Sequence, residues 1–131
     1  MLDRCIDNPS NGLPEDIFLF ISRNIPVVGA DLLIKDENNR TLLSWRDNKC
    51  AETGWHIPGG ILRLKETLED RVKKVAEIEI NTEIGFDHTP LKLTQFILDQ
   101  KERCHIISFL LPATFIPDNN NLLKNDVGFI M

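Results

Sequence analysis

Glu79 is the residue of this 131-residue chain whose setting most demands a chemical explanation. Good helix formers run from Leu68 to Ile80, and at about 100° per residue Glu79 falls within the stripe made by Leu68, Val72 and Val75. A carboxylate on an apolar face costs on the order of several kcal/mol if buried alone. It must be protonated, ion-paired, near water at the helix end, or bound to a cation, and spacing alone does not choose among these. Upstream stands Gly59-Gly60, where backbone can approach another group closely because no Cβ intervenes. Such a pair is by itself most often a turn. Glu66 lies between the two, just ahead of the helix, where a carboxylate gains from the helix dipole. Asp31 and Arg46 are further charges set in otherwise apolar runs.

These residues need elements to hold them. Thr67 is the expected N-cap, with Asp70 completing a weaker relative of the Ser/Thr-x-x-Glu capping box. Residues 26–35 and 41–46 read as strands around Glu37-Asn38-Asn39-Arg40, a hairpin turn because Asn accepts positive φ. A two-residue loop at Asn38 and Asn39 sets Asp31 directly opposite Arg46, which predicts a cross-strand ion pair. That pair would serve either to neutralise two charges and fix register or to act in a site. Further strands are expected near 83–86, 91–99, 104–111 and 127–131. Pro14 suits the first turn of a short helix whose Leu13, Ile17, Phe20 and Ile21 face the core. Residues 1–12 read as an irregular lead and 13–131 as a single domain, a mixed α/β sandwich.

Composition narrows the function classes. Cys5, Cys50 and Cys104 cannot all pair and lack metal-site spacing, so they read as free thiols of a reducing compartment. The first residues lack the plan of a signal peptide and no apolar run reaches membrane-spanning length, which predicts a cytoplasmic protein without a membrane partner. A net charge of -5 with no basic run argues against nucleic acid. A small nucleotide remains compatible, its phosphates met by a cation and one or two arginines.

The spacing from Gly60 carries a resemblance. Five residues separate it from Glu66, seven more lead to Lys74, and the run closes Val75-Ala76-Glu77-Ile78-Glu79-Ile80-Asn81. This resembles the Nudix box, with Lys74 where the box has Arg and Asn81 where it has Gly. Asn is the mildest such exchange at a helix C-cap needing positive φ. Val75 and Ile78 occupy positions that carry glutamates in most Nudix pyrophosphatases. Keeping only the last helix glutamate is similar to the GDP-mannose mannosyl hydrolase branch. Also shared with that branch are Gly-Gly-x5-Glu-Thr-Leu-Glu, the approach Trp55-His56-Ile57-Pro58-Gly59-Gly60, the strand carrying Asp31, and Leu42-Leu43-Ser44-Trp45-Arg46. Leu-Pro-Glu at 13–15 and Trp-Arg-Asp at 45–47 further resemble Nudix-like proteins of bacterial surface-polysaccharide gene clusters. The likeness spans about residues 13–112.

The resemblance implies an α/β Nudix fold with a mixed sheet sandwiched between helices, and an Mg²⁺-dependent hydrolase of nucleoside-diphosphate sugars in which Mn²⁺ can substitute. Glu79 and the Gly59 carbonyl would be metal ligands. Arg46 would touch the diphosphate, Asp31 would lie near the sugar or orient Arg46, and Glu66 would support the loop. Lys74 would pair with a carboxylate. The substrate would be a small nucleotide sugar, and a homodimer is compatible. Losing two helix glutamates favours a single-cation mechanism with attack at the anomeric carbon over a pyrophosphohydrolase attacking phosphorus. The branch's late-loop Gln-His pair aligns with Leu123 and Lys124, so the general base is unassigned. His56 is the best substitute, ahead of His88 and His105. The family continues into a helix where this chain stops at Met131, so the domain reads as short at its C-terminus. A catalytically impaired module that binds a nucleotide sugar is the rival reading.

Overall fold

The computed structural model describes residues 2–46, 54–81, 84–87, 89–115 and 127–130. Cys50, His88, the Asn-rich stretch at 118–121, Leu123, Lys124 and Met131 lie outside them. Two 3-10 turns, Leu2–Cys5 and Pro9–Asn11, occupy the lead that reads as irregular, the second capped by the Asn8 side chain. Helix α1 follows (Glu15–Asn24), with Pro14 at its N-cap rather than in its first turn. Ile17 is buried as expected, but Phe20 is 49% exposed and the second buried residue of α1 is Ser22. The helix is held through Ser22 Oγ, which accepts the Arg103 N–H at 3.2 Å, so a polar residue takes the inward position.

Strands β1 (Val27–Ile34), β4 (Gly59–Ile61), β5 (Ile84–Phe86), β6 (Lys92–Ile97) and β7 (His105–Phe115) form the larger sheet. Its order is β4-β1-β7-β5, with β6 also on β7; β1 and β7 run parallel and the other pairs are antiparallel. Strands β2 (Thr41–Arg46), β3 (Gly54–His56) and β8 (Val127–Ile130) form a smaller sheet, order β3-β2-β8. Strand β7 runs to Phe115, beyond the expected 111, because β6 and then β5 pair along the same edge of it.

Helix α2 (Leu68–Val75) begins at the capping box read from the sequence: the Asp70 N–H donates to Thr67 Oγ1 at 3.1 Å and the Thr67 N–H to Asp70 Oδ2 at 3.5 Å. From Ala76 to Ile80 the helix widens into a π-turn, ended by Asn81 at φ 62°, whose N–H reaches back to the Ala76 carbonyl. Ala30, Leu32 and Ile34 alternate along one face of β1 and meet Val72, Val75 and Ile80 to make the core. Apolar burial on this face is what docks α2 against the sheet.

The hairpin differs from its expected form. Asp36 and Arg40 close a three-residue loop, with the Asp36 N–H on the Arg40 carbonyl at 3.0 Å and Asn39 at φ 61°. Asp36 also binds Arg40 through its side chain at 2.6 Å, which favours the extra loop residue. After the Lys35–Thr41 bridge the strands part into different sheets. The predicted Asp31–Arg46 pairing is therefore not made: Asp31 faces Gly59 across β4, and Arg46 faces Gly54 across β3.

Candidate active site

Asp31, Arg46, Gly59 and Glu79 nonetheless converge on one cleft of about 680 Å³. Its floor is the face of the larger sheet opposite the core, contributed by Gly29, Asp31 and Ile106. Glu79 and Arg46 stand at the β4 end. Phe96, Leu98, Asp99, Gln100 and Arg103, from β6 and the loop into β7, stand at the other.

The local backbone explains how Glu79 arrives there. The Leu32 N–H donates to the Pro58 carbonyl and the Leu62 N–H to the Val28 carbonyl, each at 2.8 Å, so Asp31 and Gly59 form a non-hydrogen-bonded pair of the ladder. The N–H and carbonyl of Gly59 consequently point away from β1, towards the free edge of β4. There the N–H donates to Glu79 Oε2 at 2.9 Å. Arg46 donates to Glu79 Oε1 and to the Ile57 carbonyl, both at 3.4 Å. The Glu79 side chain is 28% exposed, not buried in the Leu68–Val72–Val75 stripe that α-helical spacing predicts. The π-turn changes its angular position and leaves it on the cleft.

Gly59 also permits a tight packing inside the fold. A Cβ there would overlap Asp31 Oδ1 and lie 2.9 Å from the Ala30 carbonyl oxygen. Asp31 Oδ2 accepts a short hydrogen bond from Ser108 Oγ. Burial raises the Asp31 pKa, outweighing the Ser108 hydrogen bond and the field of Arg46, which lower it. Arg46 thus acts on Asp31 electrostatically rather than as the direct partner expected.

Glu66 lies apart from the cleft lining. Its carboxylate accepts a fork from Arg71, 2.7 Å from Nε and 2.9 Å from Nη2, and the Arg63 N–H at 3.2 Å. Lys74 is a secondary partner at 3.4 Å. Chiefly through Arg71, the Glu66 pKa is lowered to about 2. The expected pairing of Lys74 with a carboxylate is thus made, with Glu66, but the sequence reading missed Arg71, which lies three residues earlier on the same helix face. Sequence reading also missed the β6–β7 end of the cleft. Among the histidines, His56 lines the cleft, whereas the His105 ring bonds Gln95 at 2.9 Å.

Hard oxygen donors at the β4 edge, the Glu79 carboxylate and the outward Gly59 carbonyl, fit a small divalent cation. Among the described residues no three His, Cys, Asp or Glu side chains gather into a metal cage. A cation here would complete its shell with water and ligand oxygens, which is the habit of Mg²⁺. Among the described residues no helix is long and apolar enough to cross a membrane.

No protein-family model matches the chain. A curated relative, the low-salt glycan biosynthesis protein Agl8 of Haloferax volcanii, is 36% identical over 81 residues, 62% of this chain and 51% of that protein. The chain thus spans about half the length of this relative. A Nudix hydrolase from Nitrosomonas europaea superposes with a TM-score of 0.66 at 12% identity, covering 81% of this chain and 72% of the other. A MutT Nudix hydrolase from Burkholderia pseudomallei gives 0.60 at 21% identity, covering 82% and 76%. Sheet order, capped helix and these superpositions together establish that the chain has the Nudix fold.

Proposed function

We propose that this chain is an Mg²⁺-dependent hydrolase of nucleoside-diphosphate sugars that attacks the sugar anomeric carbon, as GDP-mannose mannosyl hydrolases do. The observation that carries the proposal is the single helix carboxylate in the cleft. Glu79 reaches the β4 edge beside Arg46, while Val75 is 3% exposed in the core and Ile78 is 58% exposed at the surface. One carboxylate suits one cation on a diphosphate leaving group better than the clustered cations used for attack at phosphorus.

Glu79 and the Gly59 carbonyl would hold Mg²⁺, whose positive charge would supply stabilisation of the diphosphate leaving group. Arg46 donates to the same phosphates and shares their charge. Asp31, fixed by Ser108 and packed on Gly59, holds the sugar end of the substrate by accepting its hydroxyls. His56 takes the proton from the attacking water. The curated relative's name, a glycan biosynthesis protein, is consistent with a nucleotide-sugar substrate.

The test is incubation with GDP-mannose, other nucleotide sugars and ADP-ribose in ¹⁸O-water, with Mg²⁺ or chelator, and mass analysis of the products. Label in the free sugar beside unlabelled nucleoside diphosphate is the expected result. Nucleoside monophosphate with sugar phosphate would instead make the chain a pyrophosphohydrolase. Binding without turnover would make it a nucleotide-sugar-binding module.

A further inference from the structure

Arg103 sits where two hollows meet. It lines the cleft with Arg46 and also a second pocket of about 300 Å³ bounded by α1 and the segment after β4, the two sharing Ile61. It belongs to the loop joining β6 to β7, closed by the Leu98 N–H on the Cys104 carbonyl at 2.7 Å. The Gln100 amide braces the loop from within by donating to the carbonyls of Glu102 at 2.7 Å and Arg103 at 3.2 Å.

Three features of Arg103 exceed what a loop needs. Its φ is 52°, an uncommon value for a non-glycine residue and a cost that the surrounding contacts must hold in place. Its guanidinium carbon lies 5.0 Å above the Phe18 ring, which fixes the plane of the group and leaves its in-plane donors to other partners. Its Nε is buried and has no hydrogen-bond partner among the described residues. The neighbouring carboxylate, Glu102, is engaged with Arg23 at 2.7 Å. Arg46 has Glu79 as counter-ion, whereas Arg103 has no carboxylate within ion-pair distance among the described residues.

We propose that Arg103 is a second anion-binding residue of the cleft, which grips a phosphate of the substrate from the β6–β7 end while Arg46 and Glu79 act at the β4 end. The inference deepens the nucleoside-diphosphate reading and rests on it for the identity of the anion. A residue that lines a cleft of this size and whose guanidinium has no carboxylate partner among the described residues matches a diphosphate, whose oxygens accept N–H donors.

Calorimetric titration of the full chain with pyrophosphate and with GDP tests this, comparing wild type with Arg103→Ala and Arg103→Lys. Arg103→Ala should raise Kd for both ligands about ten- to a hundred-fold, the range of a charge-assisted hydrogen bond, and Arg103→Lys should recover part of the loss. If Arg103→Ala fails to fold, Phe18→Leu serves, which keeps the charge but removes the ring beneath it. A smaller loss of affinity, about three- to ten-fold, is then expected, of the size of a cation–π contact. Loss of pyrophosphate affinity in a chain that turns over no nucleotide sugar would sink the enzyme reading and leave the anion site standing. Unchanged affinity in a folded Arg103→Ala protein, a lowered Tm with unaltered Kd, or a wild type that ignores pyrophosphate would each overturn the proposal.

Discussion

Two glutamates thirteen residues apart, Glu66 and Glu79, have the same side chain and opposite circumstances. The Glu66 side chain is 4% exposed and forked by Arg71, so its charge is spent inside the fold. The Glu79 side chain is 28% exposed, and its contact with Arg46 is a long 3.4 Å. The first arrangement is a closed ion pair that ties the loop after β4 to α2. The second places a carboxylate, an arginine and an outward backbone edge on the wall of a cleft. A charge matched inside the fold stabilises structure, whereas one held on the wall of a cleft can be reached by a ligand.

The sharpest break in this contrast is Glu66→Ala. It would strand the largely buried Arg71 and cost about 3–5 kcal/mol of stability. The sign of the pH dependence follows from a folded pKa lowered to about 2 against the ordinary 4.5. Glu66 contributes fully above 4.5, and its contribution is lost as pH falls through 2, so wild type and variant should converge over that interval. Urea unfolding at pH 7 and at acid pH measures it. A loss of similar size at both would show that the ion pair is not the source.

Glu79→Gln should behave in the opposite way. It removes the charge that would hold the cation, so kcat/KM should fall about ten- to a hundred-fold or more. Stability should change by less than about 1 kcal/mol, because the Arg46 pair is long and partly exposed. A large fall in Tm with unchanged activity would mean that the roles of the two glutamates had been exchanged.

Asp31 is the intermediate case, enclosed yet facing the cleft. Burial raises its pKa, so its contribution to stability is greatest below 3.8 and declines as pH rises through the folded value. Asp31→Asn should therefore raise Tm at pH 7 by about a few degrees, with the gain disappearing below pH 4, while weakening turnover. Thermal melts across pH paired with an activity assay decide it. Loss of stability at neutral pH would mean that the Ser108 hydrogen bond outweighs the cost of burial.

Local chemistry was legible in the sequence to the extent that it is local. Thr67 and Asp70 form their capping box, and Asn81 takes the positive φ expected of it, because each depends on neighbours within one turn. The Asp31–Arg46 pairing failed because β1 and β2 meet only at the Lys35–Thr41 bridge and then part into different sheets, a separation that local turn chemistry does not encode. Arg103 escaped notice because its significance comes from Phe18 and Ser22, more than eighty residues earlier in the chain. The sequence singled out Asp31, Arg46, Gly59 and Glu79, which the fold brings to one cleft, although their arrangement, with Arg46 on Glu79 rather than on Asp31, required the sheet order.

The smallest effect expected is also the subtlest test of the contrast. Ile78 adjoins Glu79 and stands where most Nudix pyrophosphatases have a glutamate, so Ile78→Glu would restore a box residue. The residue is 58% exposed and absent from the cleft lining, because the π-turn that aims Glu79 inward leaves its neighbour on the surface. A glutamate there would remain in water, with no side chain gathered to orient it towards a cation. Stability should shift by no more than about 0.5 kcal/mol, and release of nucleoside monophosphate from ADP-ribose should stay at the wild-type level. A clear gain of that activity would mean that the turn around Ala76–Ile80 can rewind into an α-helix and carry a second carboxylate into the cleft, making the placement of Glu79 one state of a switchable element.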